Sequence, residues 1–188
     1  MPRLFSGIEL PDDIKSDLSA LEMPLPGASW IEEDDLHITL RFAGDIDNRL
    51  SHEFAEELAR IDMDVFELQL DGVHILGGND PKILYAGLRT SPPLEALARA
   101  HERAARSAGL RPEKRPFKPH VTLARLRGAD IASLTRVLQT HALFRSRPFV
   151  VEHFVLFSSK PKTGGGPYAV EESFLLRGVH RSFAGFYD

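Results

Sequence analysis

Two short stretches hold the residues whose types and spacing could do chemistry: His37-Ile38-Thr39-Leu40 and His120-Val121-Thr122-Leu123. In an extended strand the side chains at i and i+2 project from one face. His37 therefore shares a face with Thr39, and His120 with Thr122, while Ile38, Leu40, Val121 and Leu123 turn the other way into apolar packing. Two imidazoles facing one substrate suit in-line displacement at phosphorus: one takes a proton from the attacking water, and the other gives one to the leaving oxygen. An unperturbed pKa of about 6.5 lets both protonation states exist near neutrality. The threonine hydroxyls can donate to non-bridging phosphate oxygens as negative charge builds there. A strained cyclic phosphate needs no metal in such a scheme. The likeness of the two motifs leaves open which histidine is acid and which is base.

Other uses of histidine fit less well. No His-x-x-x-His or His-Glu-x-x-His motif occurs, and each strand offers threonine where a further ligand would stand, so no metal and no cofactor is expected. His52, His74, His101, His141, His153 and His180 lack both a threonine two residues on and a twin, and all six read as structural. The chain has no cysteine, which removes disulfides, thiolate metal sites and cysteine nucleophiles.

The elements that must position the motifs follow from periodicity and turn residues. Residues 3–10 read as a strand, and Pro11 opens a helix with Ile14, Leu18 and Leu21 on one face. The motif strand 36–42 ends in Ala-Gly-Asp, and Asp47 caps a helix with Leu50, Phe54, Leu58 and Ile61 at helical spacing. Strands are expected at 65–76 and 82–89. Ser91-Pro92 starts a helix that stops at Gly109. A second motif strand at 120–126, a helix at about 130–141 and a strand at about 148–158 come next. The triple-glycine loop Lys160–Pro167 then leads to a last strand at 168–176.

The order of elements echoes itself. Leu4-Phe5-Ser6-Gly7-Ile8 matches Leu84-Tyr85-Ala86-Gly87-Leu88 in chemical type, and the two histidine motifs follow in the same order at nearly the same offset. The expectation is a duplication within residues 1–188: one domain of two pseudo-symmetric lobes, roughly 3–76 and 83–158, plus a final strand at 168–176, with the motif faces meeting in a cleft.

Bulk properties narrow the function classes. A chain of 188 residues with 43% hydrophobic and 27% charged residues has the balance of an ordinary globular protein. A net charge of −4 argues against coating nucleic acid through bulk electrostatics, but not against gripping one phosphate in a local basic pocket. Arg111, Lys114, Arg115 and Lys118, immediately before His120, are either a solvated loop or an attractor for an RNA backbone. No apolar run approaches the roughly 20 residues of a membrane span, and the N-terminus lacks the pattern of a signal peptide. A cytoplasmic location is expected.

The doubled His-aliphatic-Thr-Leu motif resembles the two-histidine (2H) phosphoesterase superfamily, and within it the LigT-like RNA 2′,3′-cyclic phosphodiesterases, once called 2′-5′ RNA ligases. The resemblance takes in RLFSGIELP at the start, Trp30 before LHITLRFAGD, FKPHVTLAR at 117–125, and VLFSS…GGGPY at 155–168. It implies an α+β, duplicated bilobal fold with two antiparallel sheets flanking a central cleft and helices outside. It also implies hydrolysis of an RNA-terminal 2′,3′-cyclic phosphate to a 2′-phosphomonoester without metal. A monomer is expected, since the cleft needs only one chain. The resemblance makes His37 the general acid and His120 the general base, with Thr39 and Thr122 holding the phosphate. Phe42 resembles the aromatic that stacks on the terminal base, and Arg125 an arginine serving the phosphate. Without the resemblance Phe42 reads as core and Arg125 as a solvated charge. Each stands five residues after a motif histidine, on the wrong face of an unbroken strand, so both assignments require the strand to twist, bulge or end. Ligation to a 5′-hydroxyl, hydrolysis of a small cyclic nucleotide or ADP-ribose cyclic phosphate, and a non-enzymatic RNA-end-binding role remain as alternatives.

Overall fold

A computed structural model describes residues 3–159 and 168–178; the glycine loop 160–167 and His180 lie outside the described residues. The fold is α+β. Its first part runs β1 (Arg3–Glu9), α1 (Asp12–Ser19), β2 (Ala28–Trp30), a 3₁₀ turn (Glu33–Asp35), β3 (His37–Asp45) and α2 (Asn48–Ala59). Then come β4 (Phe66–Leu68), β5 (Leu70–Leu76), β6 (Ile83–Leu88) and α3 (Pro92–Ser107). The remainder is β7 (Val121–Leu126), α4 (Ile131–Thr140), β8 (Phe149–Val151), β9 (His153–Ser159) and β10 (Ala169–Leu175). The helix starts follow the capping residues. Asp47, Ser91 and Asp130 each accept a hydrogen bond from the backbone N–H three residues on, at 2.8, 3.2 and 2.9 Å.

Among the described residues there are two antiparallel sheets. The larger has the order β10-β9-β1-β3-β7-β6-β5, with β2 alongside β7, and the smaller is the ribbon β4-β8. The strands expected at 65–76 and 148–158 each divide, at Gln69 and Glu152. Their first pieces pair with each other, Phe66 opposite Val151 and Leu68 opposite Phe149, while β5 and β9 join the larger sheet. Alternation of apolar residues continues through the first break, at Phe66, Leu68 and Leu70, and the second is only the pair Glu152-His153 inside an apolar run, so a run that changes partners looks like one strand in sequence. The three residues of β2 are too few for periodicity to mark.

The motif strands are bulged alike. Gly7 lies opposite Thr39 but Ser6 opposite Arg41, which leaves Leu40 as an extra residue in β3. Tyr85 lies opposite Thr122 but Leu84 opposite Ala124, which leaves Leu123 extra in β7. One inserted residue reverses the facing of everything beyond it. The same registers correct the echo between 4–8 and 84–88. Gly7 faces the first motif threonine but Tyr85 faces the second, so the strands correspond two residues out of step with their chemical likeness. Chemical type follows burial and strand propensity, not the position of a bulge.

The two halves of the larger sheet meet at one antiparallel pair, Ile38 with Val121, both fully buried. Around them the core gathers Leu4, Ile8 and Leu84 from the strands with Ile14, Leu18, Phe54 and Leu97 from the helices. Gly7 is glycine because a Cβ there would sit 2.4 Å from the Ile38 carbonyl oxygen and 3.2 Å from the Phe157 ring. On the helix side of the motif strand, His101 of α3 is fully buried, its Nδ1 2.6 Å from Ser6 Oγ and its ring 4.5 Å from that of Phe154. Among the described residues its Nε2 has no hydrogen-bond partner. Burial pushes its pKa down to about 3.

Two outcomes follow for stability. Gly7→Ala forces β1 and β3 apart and is expected to cost about 1–3 kcal/mol in urea unfolding. For His101, the unfolded chain takes up a proton below about pH 6.5 that the folded chain refuses until about pH 3. Stability therefore falls as pH falls through that window. Urea midpoints at pH 7 and pH 5 are expected to lie closer together in His101→Gln, by about 2 kcal/mol of stability.

Candidate active site

The pairing of Ile38 with Val121 decides where the polar residues stand. In antiparallel register the residues flanking that pair bring His37 toward Thr122 and Thr39 toward His120. All four side chains line a cavity of about 960 Å³, and so do Phe42 and Arg125. The extra residues Leu40 and Leu123 remain in the core, at 6% and 2% exposure, while the register shifts place Phe42 opposite Phe5 and Arg125 opposite Ile83 on the cavity side. Phe42 is 50% exposed. The structure thus brings together all six residues singled out from the sequence, and the bulge that Phe42 and Arg125 require is present in both strands. The carbonyl of Leu123 accepts from Ile31 N at 2.8 Å, so the bulged backbone is satisfied.

Both imidazoles are held in the same way. His37 Nδ1 lies 2.7 Å from the Asp35 carbonyl oxygen, and His120 Nδ1 lies 2.7 Å from the Lys118 carbonyl oxygen. A carbonyl only accepts, so Nδ1 carries the hydrogen in each ring and Nε2 is left for the cavity. His37 Nε2 accepts from the Thr39 hydroxyl at 2.9 Å.

The surroundings of the two rings differ. Phe5, Phe157 and Tyr168 enclose His37, with ring centroids at 5.0, 5.4 and 5.1 Å, and Tyr168 stands edge-on at 83°. Tyr85 meets His120 at 5.5 Å, edge-on at 69°. Burial lowers the pKa of His37; the Asp35 carbonyl and carboxylate oppose this, while the charges of His120 and Lys15 add to it.

Of the basic run before His120, Arg115 and Lys118 line the cavity, and Arg115 stands 3.6 Å from Glu113. Arg41 is buried between β3 and α3, its Nε bonded to Glu102 at 2.5 Å and its Nη2 to the Arg111 carbonyl at 2.5 Å. It braces the loop that leads to His120. None of His52, His74, His101, His141 and His153 lines the cavity. Among the described residues no group of three or more histidine, aspartate or glutamate side chains is placed to hold a metal ion.

Sequence reasoning missed Asp35 and the Phe5–Phe157 pair. Asp35 stands at the end of an acidic run that reads as a solvated turn. Phe5 and Phe157 sit in apolar stretches of β1 and β9, where an aromatic reads as core.

A family model described as the 2′-5′ RNA ligase superfamily matches residues 10–162. An RNA 2′,3′-cyclic phosphodiesterase of Aeropyrum pernix is 35% identical over 112 residues, 58% of this chain and 64% of that protein, so the match spans just under two thirds of its length. A protein of the same name from Thermus thermophilus is 31% identical over 193 residues, covering 95% of this chain and 92% of that one. Among solved structures, Escherichia coli LigT complexed with 3′-AMP superposes with a TM-score of 0.76 at 27% identity, covering 94% of this chain and 99% of that one. Among the described residues no helix is long and apolar enough to cross a membrane.

The site makes one prediction that needs no substrate. In a histidine NMR titration of the free protein, His37 is expected to titrate below 6.5, and added inorganic phosphate is expected to move it upward by supplying the opposite charge that the buried ring lacks.

Proposed function

The chain belongs to the 2′-5′ RNA ligase superfamily, and from that premise we propose that it hydrolyses a 2′,3′-cyclic phosphate at the end of an RNA to a 2′-phosphomonoester. The observation that carries this reading is the pairing of two imidazoles, each tied back through Nδ1, with two threonine hydroxyls in one cavity. That set suits a reaction that moves one proton in and one out around a pentavalent phosphorus.

In this mechanism His120 Nε2 takes a proton from water as the water oxygen bonds to phosphorus. The bond from phosphorus to O3′ breaks, and His37 gives its Nε2 proton to that oxygen. Thr39 swings from His37 onto a non-bridging oxygen, and Thr122 holds the other. Burial disfavours the imidazolium of His37 in the free protein; the anionic phosphate entering beside it offsets that penalty when the proton is needed. Arg125 adds positive charge as the pentavalent state forms. Phe42, half exposed beside Phe5 at 5.6 Å, offers a face on which any terminal base stacks. No metal or cofactor has a part in these steps. The protein is taken as a cytoplasmic monomer whose chain repeats roughly as 3–76 and 83–158; the matching bulges support a repeat of the motif strands, with β5 and β9 each crossing to the other half of the sheet.

The test is an RNA ending in a 2′,3′-cyclic phosphate, incubated with the protein and EDTA and followed by phosphorus NMR. Conversion to a 2′-phosphate is expected, with His37→Ala and His120→Ala each about 10²–10⁴-fold slower. Activity that survives both substitutions, or a 3′-phosphate product, would sink the mechanism. Phe42→Ala is expected to raise KM, by about 1–3 kcal/mol of binding, with little change in kcat.

A further inference from the structure

The two histidines sit in the same backbone frame, and the residue that supplies each frame's carbonyl differs in charge. Before His37 it is Asp35, 6% exposed; before His120 it is Lys118, whose side chain is exposed. Asp35 makes two contacts at once. Its main-chain oxygen accepts from His37 Nδ1, and its Oδ1 accepts from the backbone N–H of Tyr168 at 3.1 Å. The Tyr168 ring then lies edge-on against both His37 and Phe5. A carboxylate this deeply buried is costly unless its charge is used or compensated.

We propose that Asp35 is a positioning residue that makes His37 the proton donor: it orients the imidazole, latches Tyr168 across it, and places on that side of the cavity a negative charge that Lys118 denies to the other. The proposal rests on the reaction assigned above and adds what the doubled motif leaves open, the physical origin of the division into acid and base.

The charges around His37 are consistent with this role. From just before β7 it faces His120 and from α1 it faces Lys15, both of which oppose its protonation; from the 3₁₀ turn it faces Asp35, which favours it. On β1, Glu9 is opposite His37 in register, but its carboxylate is engaged with His153 of β9 at 3.0 Å. Just before β10, the Tyr168 ring stands edge-on to His37. Asp35 is thus the carboxylate among these groups that acts on His37.

The experiment compares wild type with Asp35→Asn, which keeps an oxygen to accept from Tyr168 and removes the charge. Rates on the cyclic-phosphate RNA are measured well below and well above the pH optimum, and His37 is titrated by NMR without substrate. Far above the optimum the rate is proportional to the protonated fraction of the acid, and far below it to the neutral fraction of the base. Asp35→Asn is expected to lose roughly three- to tenfold on the alkaline side and to match wild type on the acid side, with the His37 titration moved down by roughly half to one pH unit. Asp35→Glu, which keeps the charge, is expected to retain most of the alkaline rate.

An equal loss at every pH would make Asp35 a purely structural residue and overturn the proposal. A change confined to the acid side would make His37 the base and overturn it as well. So would an unmoved His37 titration in either a folded Asn variant or, should that variant not fold, in Asp35→Ser. A wild-type protein that turns over no cyclic phosphate defeats the proposed reaction instead, and the NMR comparison still decides whether Asp35 governs the charge on His37.

Discussion

A single backbone pairing, Ile38 with Val121, sets everything functional in this protein. It is where the two halves of the eight-stranded sheet touch through β3 and β7. Because both side chains are fully buried, the residues on either side of them are obliged by the pleat to face the other way. Those residues are the two histidines and the two threonines. Elsewhere β3 and β7 part company, β3 to β1 and β7 to β6 and β2, and the gap left by their divergence is the cavity.

Two bulges convert that crossing into a site of useful size. A regular β3 would bury Phe42 and a regular β7 would bury Arg125, leaving of the six residues only the four of the motifs on the cavity side. The inserted Leu40 and Leu123 stay in the core and return Phe42 and Arg125 to the cavity. The motif leucines therefore do two jobs: they fill the core, and they change the phase of the strand. Their cost in lost ladder bonds is partly met by the Ile31–Leu123 bond.

The frame is symmetric and its contents are not. Aromatic rings close around His37, and Asp35 stands beneath it; among the described residues His120 meets one ring, Tyr85, with Lys118 before it. Behind β3 the sheet also carries a polar seam, Ser6 with His101 and Arg41 with Glu102, which ties the motif strand to α3. Neutral His101 and paired Arg41 limit the desolvation that a buried charge otherwise brings. The same seam braces Arg111 and so the loop that delivers His120.

The sequence by itself determined the chemistry-bearing set. His37, Thr39, His120 and Thr122 could be identified because the i, i+2 rule is local and needs no partner strand. The capped starts of α2 and α3 were legible at Asp47 and Ser91 for the same reason. Tertiary structure alone decided the rest. A bulge exists only relative to a neighbouring strand, so the facing of Phe42 and Arg125 had to wait for β1 and β6. The division of 65–76 and 148–158 depends on β4 and β8 finding each other across the chain. Asp35 looked like one more acid in a solvated turn, because its meaning comes from Tyr168, 133 residues away. Side-chain spacing encodes which groups share a face; only packing decides which faces meet, and at what charge.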